Sequence, residues 1–400
     1  MTLSALRRLR ALPTIALALA LAAALAGCST SEPAEETPAP APAEEPAAPE
    51  APAEEEAEEP EPIDKGQLVA TSTSYYLDSE QEPDVRTATY DDAGRLLSVG
   101  DATSKYDWTY DDEGRILTEK FSALSDIESA GDTLTTYTYN ADGALAETVV
   151  EDSTPALYLN PETGETGEDP SLGELWQEAG ESYRLVFSYS DDGMQETVES
   201  YTLDGDLTGS RIFYYDQDVR TLYDEVSTDP QLLGTVISPA LPLKTELFDE
   251  TGTQTGEVTH TYDANENETS MIETSAEGTT EQTYTYDENG NETSSVISSS
   301  IMPEMNNSSQ TTWTYDEAGR PAASVLTSDG TNSWFEFFTY DSKGRLKAVA
   351  SVVSMVDAET GEEFEPTIGC TVYNYLVDDE ELTTTPEQLM ADARAQVETA

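Results

Sequence analysis

The fold is decided by residues 108–115, which read WTYDDEGR. Trp108 and Tyr110 stand two positions apart, so in a strand their rings point to one face and the threonine between them points to the other. Asp111 can accept hydrogen bonds from the backbone amides that follow it, and Gly114 supplies the positive φ that a tight turn needs. The stretch therefore predicts a half-buried antiparallel strand, a turn and a return strand, which together make one β-hairpin.

The same pattern recurs along the chain, and most copies follow one another at intervals of 20 to 29 residues. Clear copies are centred on Tyr90, Tyr110, Tyr139, Tyr189, Tyr286, Tyr315 and Tyr340, and weaker copies on Tyr215, Phe248, Tyr262 and Tyr375. One hairpin per copy predicts on the order of twenty strands. Longer gaps predict inserts at residues 151–182 and 226–243, the second with a short helical turn that begins near Asp229.

The repeat resembles the YD repeats of bacterial Rhs and wall-associated proteins. The resemblance covers about residues 87–379 and is carried by the Tyr-Asp-x-x-Gly-Arg/Asn copies. Known members of this family form long antiparallel sheets that curl into a shell. The resemblance therefore implies an all-β domain over residues 64–383, built as a long curled sheet or an open barrel-like shell. The resemblance implies a fold more than a function, because the large shells that enclose a toxin are built from far more residues than this repeat region has.

A short helix is predicted after the repeats, in residues 384–400. Thr385 is followed by Pro386 at the first helical position and by Gln388 three residues on, which is a capping box. We expect this helix to run to about Val397 and to cap the open edge of the sheet, because exposed edges invite pairing with other chains.

The first residues of the chain are typical of a bacterial lipoprotein signal. Three arginines precede an apolar run over residues 15–25, which is shorter than the roughly 20 residues that span a bilayer. Residues 25–28 read Leu-Ala-Gly-Cys and resemble a lipobox, which implies that residues 1–27 are removed and that Cys28 carries diacylglycerol. The acidic segment 28–63 is rich in Pro, Ala and Glu and should remain a disordered tether.

These features predict a location on the extracytoplasmic face of the cell membrane. Lipidation of Cys28 leaves Cys370 without a partner in the chain. We expect Cys370 to be a small buried strand residue, with an intermolecular disulfide and a reactive thiol as the alternatives.

Composition excludes several functional classes. The chain has 18 Lys+Arg against 81 Asp+Glu, and its formal charge of −63 argues against a nucleic-acid partner. The single histidine, His260, occupies the aromatic position of a repeat, so it should pack rather than catalyse or bind a metal. Most acidic pairs fall in predicted turns, and the stretches starting at Asp263 and Asp287 lack the Gly and Glu of a calcium loop. We predict no enzyme activity, no metal site and no cofactor.

The remaining prediction is a lipid-anchored surface protein with a non-catalytic binding or structural role. Phe335, Phe337 and Tyr214 lie opposite the aromatic face of their strands and are candidate ligand-binding residues. Their rings would suit a cell-wall glycan or a surface protein, unless a second layer of the fold covers them. An envelope carrier or chaperone that holds an apolar ligand in the curled sheet is the alternative, followed by a hydrolase that uses carboxylates.

Overall fold

The computed structural model describes residues 65–77, 82–124, 131–160, 163, 166–303, 306–328, 332–356 and 364–399. The signal peptide and the tether predicted for residues 1–63, including the lipidated Cys28, lie outside the described residues.

One antiparallel sheet of twenty strands dominates the molecule. Its first ten strands are β1 (Val69–Tyr76), β2 (Asp84–Tyr90), β3 (Leu96–Gly100), β4 (Ser104–Tyr110), β5 (Ile116–Ala123), β6 (Thr133–Tyr139), β7 (Leu145–Asp152), β11 (Tyr183–Tyr189), β12 (Gln195–Thr202) and β13 (Leu207–Tyr214). Its last ten are β16 (Lys244–Asp249), β17 (Gln254–Tyr262), β18 (Glu268–Ser275), β19 (Thr279–Tyr286), β20 (Glu292–Ser299), β21 (Asn307–Tyr315), β22 (Pro321–Ser328), β23 (Asn332–Tyr340), β24 (Leu346–Ser354) and β25 (Thr367–Tyr375).

The sheet closes on itself. Each of the twenty strands pairs with the next one along the chain, and β1 then pairs with β25. At this seam the hydroxyl oxygens of Ser74 and Thr371 are 3.2 Å apart. The all-β fold with one short C-terminal helix is therefore confirmed, but the expected curled sheet or open shell is in fact a closed barrel. Closure leaves no edge strand unpaired.

The two faces of the barrel wall differ in the way that the repeat predicts. Trp108 faces inward and is 2% exposed, in a cluster with Leu96 and Ile116. The threonine between the two rings faces outward, and the Oγ1 atoms of Thr109 and Thr118 are 2.7 Å apart on the exposed side. Rings therefore line the lumen and hydroxyl groups line the outer surface.

The YD turns lie at one end of the barrel, which we call the YD end. They follow Tyr90, Tyr110, Tyr139, Tyr189, Tyr262, Tyr286, Tyr315 and Tyr340. The weak copy at Phe248 is different, because the turn that joins β16 to β17 lies at the other end, which we call the far end.

Neighbouring repeats interlock through their tyrosines and arginines. The Tyr110 hydroxyl donates to the carbonyl oxygen of Leu96 at 2.7 Å, and the Arg95 guanidinium lies 4.8 Å from the centre of the Tyr110 ring. Arg95 in turn donates through Nε to the Asp91 carboxylate at 2.7 Å. Gly94 has a φ of 82° and allows the backbone to turn tightly enough for this contact. The tyrosine, the aspartate, the glycine and the arginine of the motif thus serve one arrangement.

The C-terminal helix, α1 (Pro386–Thr399), packs on the outer surface of β24 and β25. Its Met390 and Ala393 are 2% and 1% exposed and contact a cluster that includes Cys370. The expectation that the helix caps an open edge is wrong because closure leaves no such edge. Cys370 is a free, buried strand residue, and burial raises the pKa of its thiol to about 12. Among the described residues no helix has the length and apolar character needed to cross a bilayer.

The two predicted inserts form small sheets of their own. The first contains β8 (Leu157–Leu159), β9 (Thr166–Gly167) and β10 (Glu174–Gln177) at the far end. The second contains β14 (Glu225–Val226) and β15 (Val236–Ile237). A single hydrogen-bonded turn begins at Asp229 there, where the Leu232 amide donates to the Asp229 carbonyl oxygen at 3.1 Å, and it does not continue into a helix. Gly234, with a φ of 85°, turns the backbone so that its amide donates to the Ser227 carbonyl oxygen at 3.0 Å.

Candidate functional site

The second insert lies inside the barrel, and we call residues 219–237 the lumenal insert. Leu233 is 8% exposed and packs in the cluster that contains the inward side chains of Leu96, Val99 and Trp108. A Cβ atom added to Gly234 would lie 2.7 Å from Val99 Cγ1 and 3.2 Å from Trp108 Cη2. The insert is thus in close contact with the lumenal face of β3 and β4.

The lumenal insert also contacts the wall near the YD end. Tyr223 meets Tyr139 edge to face, with ring centres 6.0 Å apart, and the Arg115 guanidinium lies 5.5 Å from the Tyr223 ring centre. Val219 donates through its amide to the carbonyl oxygen of Gly193 in a YD turn, at 3.1 Å. The insert therefore enters the barrel at the YD end.

The carboxyl group of Asp224 on the insert acts electrostatically on two carboxyl groups of the wall. Burial raises the pKa of Asp224, and it also raises the pKa values of Glu119 on β5 and Glu196 on β12. The charge of Asp224 raises both glutamate pKa values further, because like charges in a desolvated site repel each other. This arrangement favours the protonated, uncharged forms of the three groups.

Each glutamate of this cluster also has a hydrogen-bond donor from the wall. The Trp108 indole donates to Glu119 Oε2 at 3.3 Å, and the Tyr215 hydroxyl donates to Glu196 Oε2 at 3.0 Å. These bonds lower the two pKa values, but burial dominates. Chemically, the three carboxyl groups can hold protons.

The lumen has two sides that differ in how they are covered. The covered side is the inner face of β1–β6, β24 and β25. Side chains of these strands belong to the hydrophobic cluster that contains Leu233 of the insert, or pack against it. The open side is the inner face of β16–β22 and of the far-end part of β23, whose Phe338 near the YD end packs against the cluster of the covered side. Among the described residues of these eight strands, Met271 is the one buried hydrophobic side chain. Trp334 faces inward near the far end and is 47% exposed, and Trp313 stacks on Phe338 at 6.2 Å.

The predicted binding residues lie on the outer surface and are not brought together. Phe335 and Phe337 are partly buried against the cluster that contains Met390 and Ala393 of α1. The Tyr214 hydroxyl donates to Glu246 Oε2 at 2.8 Å, on strands that are not neighbours of β23. The helix therefore covers the two phenylalanines as a second layer of the fold, which was the alternative to ligand binding. A ligand-binding role of Phe335, Phe337 and Tyr214 stays a prediction.

The other residues singled out in the sequence have structural partners. His260 faces inward, stacks on Tyr262 with ring centres 6.4 Å apart, and its Nδ1 lies 2.5 Å from Glu268 Oε1. Asp263 and Asp287 accept hydrogen bonds from amides of their own turns, as in Asn291 N to Asp287 Oδ1 at 2.9 Å. Within the described part of the chain, no group of three or more His, Cys, Asp or Glu side chains is arranged to hold a metal ion.

Sequence reasoning missed the lumenal carboxyl groups. Glu119 pairs directly with Trp108, and Glu196 pairs with Tyr189, so both occupy inward positions opposite a repeat aromatic. A charged residue at a position that the two-residue period assigns to the interior was a usable signal. No comparable signal exists for Asp224, because it lies in an insert without periodicity.

Comparison with known proteins adds no family to this description. No family model matches the chain, and neither does any curated protein. Among solved structures, a porin-like protein from Bacteroides uniformis has 12% identity and a TM-score of 0.30, over 79% of this chain and 100% of that chain. A porin-like protein from Bacteroides vulgatus has 10% identity and a TM-score of 0.27, over 77% and 98%. The Photorhabdus luminescens Tc holotoxin pore has 13% identity and a TM-score of 0.14, over 78% of this chain and 25% of that chain. These similarities are too low to carry an argument.

Proposed function

We propose that this chain is a lipid-anchored, non-catalytic protein of the bacterial cell envelope that holds an apolar ligand inside its barrel. The observation that carries the proposal is the closed twenty-strand sheet with aromatic rings on its inner face and an insert that covers one side of it. Barrels of 16 to 18 strands already leave an open channel, so the wall alone cannot fill this interior. The uncovered inner face is the surface offered to the ligand.

The outer surface favours a barrel surrounded by water. Outward positions carry hydroxyl groups that pair across strands, as in Thr109 with Thr118, Thr261 with Thr269 and Thr285 with Ser294. A barrel that crosses a bilayer presents an apolar band about 25 Å tall to the lipid instead. We therefore assign membrane attachment to the predicted lipid on Cys28, and the extracytoplasmic face of the membrane as the location.

A ligand on the outer surface has less support than a ligand in the lumen. The two phenylalanines that would have bound a cell-wall glycan or a surface protein pack beside α1 instead. The hydrolase alternative has less support too, because the buried carboxyl groups that affect one another belong to the insert and to the wall beside it. Glu119 and Glu196 are already engaged by Trp108 and Tyr215 there.

A dye titration with a pair of matched variants tests the proposal. N-phenyl-1-naphthylamine is uncharged and its emission rises when it leaves water, so the full chain should bind it with one saturable site. Ser295 faces the open side and pairs with Ser309, whereas its neighbour Ser294 faces outward. Ser295→Trp should weaken binding of the dye by filling the lumen, and Ser294→Trp should leave it unchanged. Absence of binding, or equal effects of the two variants, would contradict a lumenal site.

A further inference from the structure

Arg211 is an inward-facing cation in the middle of the barrel wall. It lies on β13, two positions before Phe213, which stacks on Tyr215 inside the lumen. Its direct neighbours in the sheet are Val198 on β12 and Leu247 on β16. Arg211 is half-buried, and this burial lowers the pKa of its guanidinium.

Most other described arginines have a carboxylate partner. They form ion pairs with Asp91, Asp111, Glu147, Asp218, Asp316, Asp341 and Glu398. Arg86 has no ion pair with another described residue, but its charge acts on Asp101 at the far end. Among the described residues Arg211 has neither an ion pair nor a side-chain hydrogen bond, and Tyr183 is the titratable group that its charge affects.

An unpaired, partly desolvated guanidinium destabilises a folded chain unless something neutralises it. An arginine without a carboxylate partner is unexpected in a protein with 81 acidic and 18 basic side chains. The nearest inward carboxyl group along β12 is Glu196, two positions from Val198, and it is engaged by the Tyr215 hydroxyl. The wall therefore leaves Arg211 available to an anion that comes from outside.

The surroundings of Arg211 define what kind of anion fits. The row of side chains that crosses the wall at this level consists of Phe187, Val198, Arg211 and Leu247, followed by Gly256, which has no side chain. Apolar groups therefore flank the one cation on both sides. One guanidinium neutralises one negative charge, so an anion with a single charge fits this position.

We propose that Arg211 binds the carboxylate of a long-chain fatty acid, whose alkyl chain lies along the open side of the lumen. This inference rests on the proposed lumenal function and names the class of ligand. A guanidinium binds a carboxylate through two parallel N–H···O bonds, and the adjoining β16–β23 wall offers rings to the hydrocarbon.

The test compares cis-parinaric acid with its methyl ester, which has the same fluorescent chain and no charge. The full chain should bind the acid at least tenfold more tightly than the ester. Arg211→Met should abolish this preference and leave binding of the ester unchanged. Arg184→Met is the matched control, because Arg184 lies two strands away on the outer face and pairs with Glu147. It should keep the preference.

A second readout guards against loss of folding. Since removal of an unpaired charge relieves its desolvation, ligand-free Arg211→Met should melt at the same temperature as the unsubstituted chain or higher. Equal binding of acid and ester by the unsubstituted chain overturns the role of Arg211 and leaves the lumenal function standing. Absence of binding of either probe overturns both. Loss of the preference in Arg184→Met as well overturns the assignment to Arg211.

Discussion

The covered and the open side of the lumen are built from the same repeat and pack differently. On the covered side Leu96, Trp108 and Ile116 are 0%, 2% and 1% exposed. On the open side the inward Trp334 is 47% exposed. The repeat thus builds the wall on both sides, but among the described residues the hydrophobic core inside the barrel forms where the lumenal insert supplies a second layer.

The width of the barrel explains this difference. In an eight-stranded barrel the inward side chains meet and fill the interior, whereas in wider barrels they do not reach across. Twenty strands therefore need additional chain before inward rings become buried. The insert supplies it through Leu233 on one side of the lumen, and the remaining inner face stays available.

The largest effect should come from truncating a tryptophan on each side. Trp108→Ala removes a buried ring from the core cluster and should lower the free energy of unfolding by about 3 to 5 kcal/mol. Trp334→Ala removes a half-exposed ring and should lower it by less than about 1 kcal/mol. Urea denaturation of the two variants measures both values. Similar losses for the two variants would show that the sides do not differ in packing.

A second, smaller contrast concerns two turns with the same motif. The side chains of Arg345 and Asp341 are 2% and 1% exposed, and Arg345 also donates to the Val377 carbonyl oxygen at 3.0 Å. The Arg320–Asp316 pair on the open side is 35% and 26% exposed. Arg345→Met should destabilise the chain by about 3 kcal/mol because it breaks a buried pair.

The matched change, Arg320→Met, should cost less than about 1 kcal/mol, because exposed ion pairs contribute little. Each arginine lies over a tyrosine ring, Arg345 at 4.2 Å from the centre of Tyr375 and Arg320 at 4.3 Å from that of Tyr340. Both variants therefore lose the same kind of contact. Thermal denaturation at moderate salt compares them. A larger loss for Arg320→Met would reverse the contrast.

The smallest effect is a pH dependence with opposite signs on the two sides. Burial raises the pKa of Asp224 above 3.8, so the folded chain holds an extra proton and loses stability as pH rises through the interval up to the raised value. The hydrogen bond from Arg320 lowers the pKa of Asp316, so its stabilisation is present above 3.8 and is lost as pH falls through the lowered value.

Asparagine substitutions should therefore act in opposite directions at pH 8. Asp224→Asn should raise the melting temperature there, and Asp316→Asn should lower it. The effect of Asp224→Asn should disappear only below about pH 3, where the carboxyl group is protonated in both the folded and the unfolded state. A loss of stability for Asp224→Asn at pH 8 would show that its charged form is bound favourably.

The strands and turns were predictable because the repeat is local. The two-residue period that places Trp108 inward and Thr109 outward needs only a few residues of sequence. Closure was not predictable, because it depends on pairing between Ser74 and Thr371, which stand 297 positions apart. The position of the insert was not predictable either, since Leu233 lies in a segment without periodicity.

The candidate site was predictable only in part. The two-residue period of the strand placed Phe335 on the outer surface. Its cover by α1 depends on where the helix docks, and the capping box does not determine that position. The inward positions of Glu119 and Arg211 follow from the register of their strands. Their partners, or the lack of one, follow only from the three-dimensional arrangement.

Closure of the sheet is the central claim, and a disulfide across its seam tests it most directly. Ser74→Cys and Thr371→Cys would be combined in a chain whose own cysteines at 28 and 370 are replaced by serine. The pair Ser295→Cys and Ser309→Cys, whose hydroxyl oxygens are 2.7 Å apart on neighbouring strands, is the positive control.

After mild oxidation, mass spectrometry of the digested monomer reports which peptides are joined. The closed barrel predicts that the peptides around Ser74 and Thr371 are linked within one chain as fully as those of the control pair. Linkage in the control pair, with no intramolecular linkage across the seam, would contradict closure.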